Sequence, residues 1–66
     1  MVLRNCIKKC RTEKEISQEE LAKAVGVSRQ TIHAIEKGSY NPSLELSFKL
    51  SLYFNKTIEE LFQYTR

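Results

Sequence analysis

The sequence predicts an all-α domain of five short helices. Three observations carry that reading. Apolar residues recur at helical spacing in successive stretches. Helix start signals stand at Ser17, Ser28, Ser43 and Thr57, and helix-ending glycines at Gly26 and Gly38. Strand-like alternation of useful length is absent, although the terminal "MVL" and "QYTR" could pair as a short ribbon.

The first helix is expected from about Leu3 to Lys14, because Leu3, Cys6, Ile7 and Cys10 fall at i, i+3, i+4 and i+7. The second opens at Ser17. "SQEE" reads as a capping box, in which Ser17 accepts from the Glu20 amide and Glu20 reaches back to the Ser17 amide. Glu19 and Glu20 also suit the positive end of the helix dipole. Its buried side is Leu21, Ala22 and Val25, and Gly26 can end it in the left-handed conformation. The third helix starts after Ser28 and stops before Gly38. About nine residues are too few for a helix to stand alone, so Ile32 and Ile35 must anchor it. "GSYNPS" is a loop in which Pro42 biases Asn41 toward an extended backbone. Ser43 caps the fourth helix, Leu44 to Phe54, and "TIEE" opens a fifth that runs to Phe62 or Tyr64.

Two helices joined by so short a turn, "AVGVS", form a helix-turn-helix over about residues 18–37. Val25 and Val27 fill the angle between the helices, and the steep crossing pushes the third helix outward. At about 100° per residue its outer face collects Arg29, Gln30, His33 and Lys37, with Ala34 at the edge. Arg29 can donate two bonds to guanine, and Gln30 can pair with adenine, in a major groove wide enough for one helix. Both belong to the first turn, where base edges are usually met. His33 follows one turn on, Lys37 is placed for the backbone, and Ala34 lets the helix lie close. Solvated helix faces usually mix Glu with Lys; this one carries no acid.

The 66 residues make one domain, 1–66, with a formal net charge of +3. A chain this short buries only about 60% of its unfolded surface. Arg4, Lys8, Lys9 and Arg11 give the first eleven residues four positive charges and no acid, which favours a polyanionic partner. An enzyme is not expected: the chain has one His, no Asp and no Gly-rich phosphate loop. Metal is not expected either, since Cys6, Cys10 and His33 supply three ligands at most, from helices facing different ways. No cofactor or small-molecule ligand is indicated. Cys6 and Cys10, four apart in a helical pattern, are a poor disulfide pair. With no secretory signal and no long apolar run, a reducing, cytoplasmic setting is expected.

The stretch "SQEELAKAVGVSRQTIHAIEKGSYNPSLE" resembles the Cro/C1-type helix-turn-helix family, also called the Xre family, of phage and bacterial repressors. The resemblance covers about Ile7 to Leu61 and looks strongest to short stand-alone regulators of Gram-positive bacteria. It rests on the Gln after the cap, the Leu-Ala pair, the turn Gly, Ile-x-x-Ile-Glu-x-Gly and Asn-Pro-Ser. It implies a five-helix, lambda-repressor-like fold and sequence-specific binding of double-stranded DNA. It places Arg29, Gln30, His33 and Ala34 at base-reading positions. It places Gln18, Ser28, Lys37, Tyr40 and Asn41 at phosphate-contacting ones, with Gln18 also bracing the first recognition residue. Arg11 and Glu36 match an ion pair tying the first helix to the third. Two positions depart from the pattern: Cys10 stands where Leu is usual, and Lys56 replaces an apolar residue between the last two helices.

The fourth helix is apolar nearly all round, apart from Glu45, Lys49 and two serines. A helix of that kind is buried on all sides, which so small a monomer cannot provide. A second copy is therefore expected against Phe48, Leu52, Leu61, Phe62 and Tyr64. The expected function is a transcriptional regulator, a repressor that binds a short inverted repeat as a homodimer. The alternative is an antitoxin or anti-repressor module that uses the apolar surface to hold another protein while also binding DNA.

Overall fold

The computed structural model describes residues 2–65. In order along the chain come β1 (Val2–Asn5), α1 (Ile7–Glu13), α2 (Gln18–Val25), α3 (Arg29–Lys37), α4 (Leu44–Phe54), α5 (Ile58–Leu61) and β2 (Phe62–Thr65). The domain is mainly helical, with one two-stranded antiparallel ribbon joining its ends.

Four helices begin where a hydroxyl captures a free amide. Ser17, Ser28, Ser43 and Thr57 each accept from the backbone N–H three residues on. At Ser17 and Thr57 the box closes in both directions, through Glu20 and Glu60. The backbone N–H and hydroxyl of Thr57 hold the exposed Glu60 carboxyl below its usual pKa. The helix α4 ends on Asn55, which takes the left-handed conformation at φ 53°.

The first helix is shorter than its apolar spacing predicts. It starts at Ile7, and Leu3 belongs to β1. Asn5 causes the break: its Oδ1 accepts from the Ile7 amide at 3.1 Å, and its Nδ2 donates to the Ile35 carbonyl at 2.9 Å. The Cys6 amide bonds the Leu61 carbonyl at 3.0 Å, across the chain ends. Leu3 then faces Tyr64 in the ribbon, and Asn5 faces Phe62. The last helix likewise stops at Leu61, because Phe62 turns extended (φ −126°, ψ 132°) to enter β2. The ribbon is thus longer inward than "MVL" with "QYTR" predicts; Met1 and Arg66 lie outside the described residues.

Every helix contributes to one core. Ile7, Leu21, Ile32, Ile35, Leu50 and Leu61 are fully buried, each favouring the folded state by about 1.5–3 kcal/mol of apolar transfer. Cys10, Ala22, Val25, Leu46 and Phe54 complete the core, with Val27 and Phe62 packed against its edge. The burial of Leu61 corrects its expected place on a dimer surface: it fills the protomer's own core. Helix α4 divides along its length. Leu46, Leu50 and Phe54 point inward, whereas Leu44, Phe48 and Leu52 face out. Cys6 and Cys10 are free thiols with their sulfurs 3.5 Å apart.

Candidate nucleic-acid interface

Three residues separate α2 from α3. Gly26 takes φ 77°, ψ 34°, where a side chain is strained and glycine is not. The Gly26 and Val27 amides both return to the Ala22 carbonyl, which closes α2. Ser28 then reverses to an extended backbone and caps α3 through Thr31. Ile32 and Ile35, both fully buried, seat α3 on α2 and α1. Arg29, Gln30, His33 and Lys37 are all exposed, and Ala34 is half-buried at the edge of their face.

Beneath this face runs a polar network. Arg11 Nε donates to Glu36 Oε2 at 2.7 Å, and Arg11 Nη2 to Glu36 Oε1 at 3.3 Å. Arg11 Nη1 donates to the Ile16 carbonyl at 2.9 Å, which ties in the segment between α1 and α2. Gln18 Nε2 donates to Glu36 Oε1 at 2.9 Å and lies 3.3 Å from His33 Nδ1. The Glu36 side chain is only 4% exposed. The one acid of α3 is therefore withdrawn from the surface and paired with a cation, which leaves the outer face to donors and positive charge. The family pattern has Gln18 bracing the first recognition residue. Here Gln18 meets His33, one turn further on, through the same amide nitrogen that donates to the Glu36 carboxylate.

The remaining expected contacts flank this face. Ser28 is engaged as the cap of α3. Lys37 lines a cleft of about 230 Å³ with Lys8, Gln18, His33 and Glu36. Tyr40, 48% exposed, lines a second cleft with Val27 and Thr31 beside the turn. Asn41 is exposed in the same loop. Lys8 is the residue that the sequence reading did not assign to the site. Its signal lay in the acid-free run of the first eleven residues, but only the packing of α1 on α3 brings it beside Lys37. Among the described residues there is no group of three metal-binding side chains, and no helix long and apolar enough to cross a membrane.

A capped three-residue turn, a second helix anchored by two isoleucines and an exposed donor-rich face define a helix-turn-helix DNA-binding domain. Comparison with known proteins agrees. A helix-turn-helix family model matches residues 7–61. An HTH-type transcriptional regulator of Methanocaldococcus jannaschii is 52% identical over 62 residues, covering 94% of each chain. One from Bacillus subtilis is 45% identical over 60 residues, covering 91% of each. The cryptic phage CTXphi transcriptional repressor RstR of Vibrio cholerae is 40% identical over 55 residues, which is 83% of this chain and 50% of that one. The chain belongs to the Cro/C1-type helix-turn-helix family of DNA-binding transcriptional regulators. The relatives extend beyond Gram-positive bacteria, into archaea.

Proposed function

We propose that this protein is a cytoplasmic, non-catalytic repressor that binds a short inverted repeat in double-stranded DNA as a homodimer. The observation that carries the reading is the division of α3. Its apolar side and its one acid are buried, and its whole outer face is Arg29, Gln30, His33 and Lys37. Arg29 and Gln30, in the first turn, are the base readers, assigned to a guanine and an adenine. His33 reads a further base, and Ala34 allows close approach. Lys37, Lys8, Tyr40 and Asn41 meet phosphates on the two flanks, and Ser28 presents the start of α3. Repression follows from occupancy alone when the site overlaps a promoter.

The second copy is assigned to the outward stripe of α4, centred on Phe48 and Leu52, together with Phe62 and Tyr64 of β2. A two-fold axis there sets two recognition helices about one DNA turn apart, ~34 Å. The same exposed stripe is the observation that favours the second reading, an antitoxin or anti-repressor module whose α4 surface holds another protein.

The test is binding to the DNA upstream of the protein's own gene at two salt concentrations, with wild type and Arg29→Ala/Gln30→Ala. Wild type should protect an inverted repeat, and the double variant should keep only weak, salt-sensitive binding. Equal, weak and unfootprinted binding by both proteins would instead move the interaction module to first place.

A further inference from the structure

The network under α3 has a direction. Arg11 is a donor only and remains charged. Glu36, paired with it, is an acceptor. The atom of Gln18 that lies 2.9 Å from Glu36 Oε1 must therefore be the amide nitrogen, since the amide oxygen there would set two acceptors face to face. That same nitrogen lies 3.3 Å from His33 Nδ1. Its two protons are thus divided between Glu36 and His33, and Nδ1 is the acceptor. In a neutral imidazole with Nδ1 accepting, the proton is on Nε2.

We propose that Gln18 sets the tautomer of His33, so that His33 offers an Nε2–H donor to the major groove and reads a hydrogen-bond acceptor on a base. Acceptors in that groove are purine N7, guanine O6 and thymine O4; the cytosine N4 amine is a donor and does not satisfy it. His33 is then a specificity-determining residue, and Gln18 is its positioning residue. Both N–H groups of Gln18 face the protein in this arrangement, so its bracing role stands in place of the phosphate contact that the family pattern implies. The Gln18–His33 bond is exposed in the free protein. Docking on DNA removes water from it, and hydrogen bonds strengthen at lower local dielectric. The inference rests on the reading of α3 as the recognition helix, but its first half concerns the free protein and needs no DNA.

The chain has one histidine, so a long-range ¹H–¹⁵N correlation spectrum reports its tautomer without ambiguity. In a spectrum recorded with the imidazole in its neutral form, wild type should show the Nε2–H form. Gln18→Met keeps the length of the side chain and removes the donor, so its ring nitrogens should move toward tautomer averaging. Thermal denaturation checks that Gln18→Met and His33→Ala remain folded. The second arm uses a duplex selected by wild type from a randomised pool. Each purine is replaced in turn by its 7-deaza analogue, each guanine also by 6-thioguanine and each thymine by 4-thiothymine, which keep the base pairing while removing or weakening the acceptor in the major groove. One position should cost wild type on the order of five- to tenfold in affinity and cost His33→Ala nothing. Gln18→Met should lose part of that discrimination, with its affinity for the parent duplex falling by no more than the same factor.

An Nδ1–H spectrum, or a Gln18→Met spectrum identical to wild type, would overturn the tautomer assignment. A substitution profile shared by wild type and His33→Ala would overturn the base-reading role. Failure to select any duplex would overturn the sequence-specific reading of the protein and the base-reading role with it, while the spectrum still decides the role of Gln18.

Discussion

Arg11 and Glu36 show how a single pair holds both the fold and the site. Their side chains are 12% and 4% exposed, so each has given up most of its water for the other. Replacing one leaves its partner's charge without compensation, which costs about 3–5 kcal/mol in comparable buried pairs. Arg11→Met should therefore destabilise the domain by about 3 kcal/mol in urea denaturation, and also free the Ile16 carbonyl. Arg11→Met/Glu36→Leu should recover most of that loss, since apolar replacements of both partners are often neutral. A double variant as unstable as Arg11→Met would show that the hydrogen bonds to Ile16 and Gln18, rather than the paired charges, hold this region. Cys10 gives a second residue-scale expectation. Burial, and next the neighbouring Cys6 thiol, push its pKa from 9.0 up to about 11. The folded state thus keeps the proton while the unfolded chain releases it. That contribution is fully present below pH 9 and is lost as pH rises toward 11. Stability measured across this range should fall less steeply in Cys10→Ala than in wild type, beneath the general cost of the smaller side chain.

At the scale of elements, the turn between α2 and α3 is decided by backbone geometry alone. A Cβ placed on Gly26 meets nothing within 4 Å, so any penalty comes from φ 77° and not from a clash. Gly26→Ala should cost about 1–2 kcal/mol, and Gly26→Asn less, because Asn tolerates this region. A thermal-denaturation series of the three proteins checks the order; equal stability would mean that the turn relaxes out of the left-handed region. Such short-range features were legible in the sequence. Hydroxyl caps at Ser17, Ser28, Ser43 and Thr57 act within three residues, and so did the glycine stops. The start of α1 was not, because Leu3 has the right spacing for a helix while its actual neighbour, Tyr64, is at the other end of the chain. Leu61 was misplaced for a related reason: helical spacing shows that a residue is apolar, not whether its own core has room for it. The recognition face could be read from α3 by itself. The grip of Gln18 on His33 could not, since it depends on the crossing of α2 and α3 and on a carboxylate fixed from α1.

The whole molecule leaves one surface unexplained by its own packing. Leu44, Phe48 and Leu52 follow one another at intervals of four along α4 and remain 72%, 54% and 81% exposed. The neighbouring Glu45–Lys49 pair, 3.1 Å apart and well exposed, contributes little to stability. The stripe therefore contributes less to the isolated fold than the inward side of α4 does, and changing it should leave that fold intact. This makes Phe48→Glu a clean test of assembly. Placed in a second copy's apolar face, the charge meets no partner, and two copies place two such charges across the axis. Wild type should run as a dimer in sedimentation equilibrium, and Phe48→Glu as a monomer with an unchanged helical spectrum. On DNA the two should differ by the form of binding rather than by which bases are read. Wild type should occupy a full inverted repeat in one cooperative step. Phe48→Glu should bind each half-site independently and far more weakly, with a smaller salt slope because fewer phosphates are met at once. A monomeric wild type that still closes on the full repeat would assign dimerisation to the DNA-bound state. A monomeric wild type with no preference for the repeat would give the α4 stripe to a different protein.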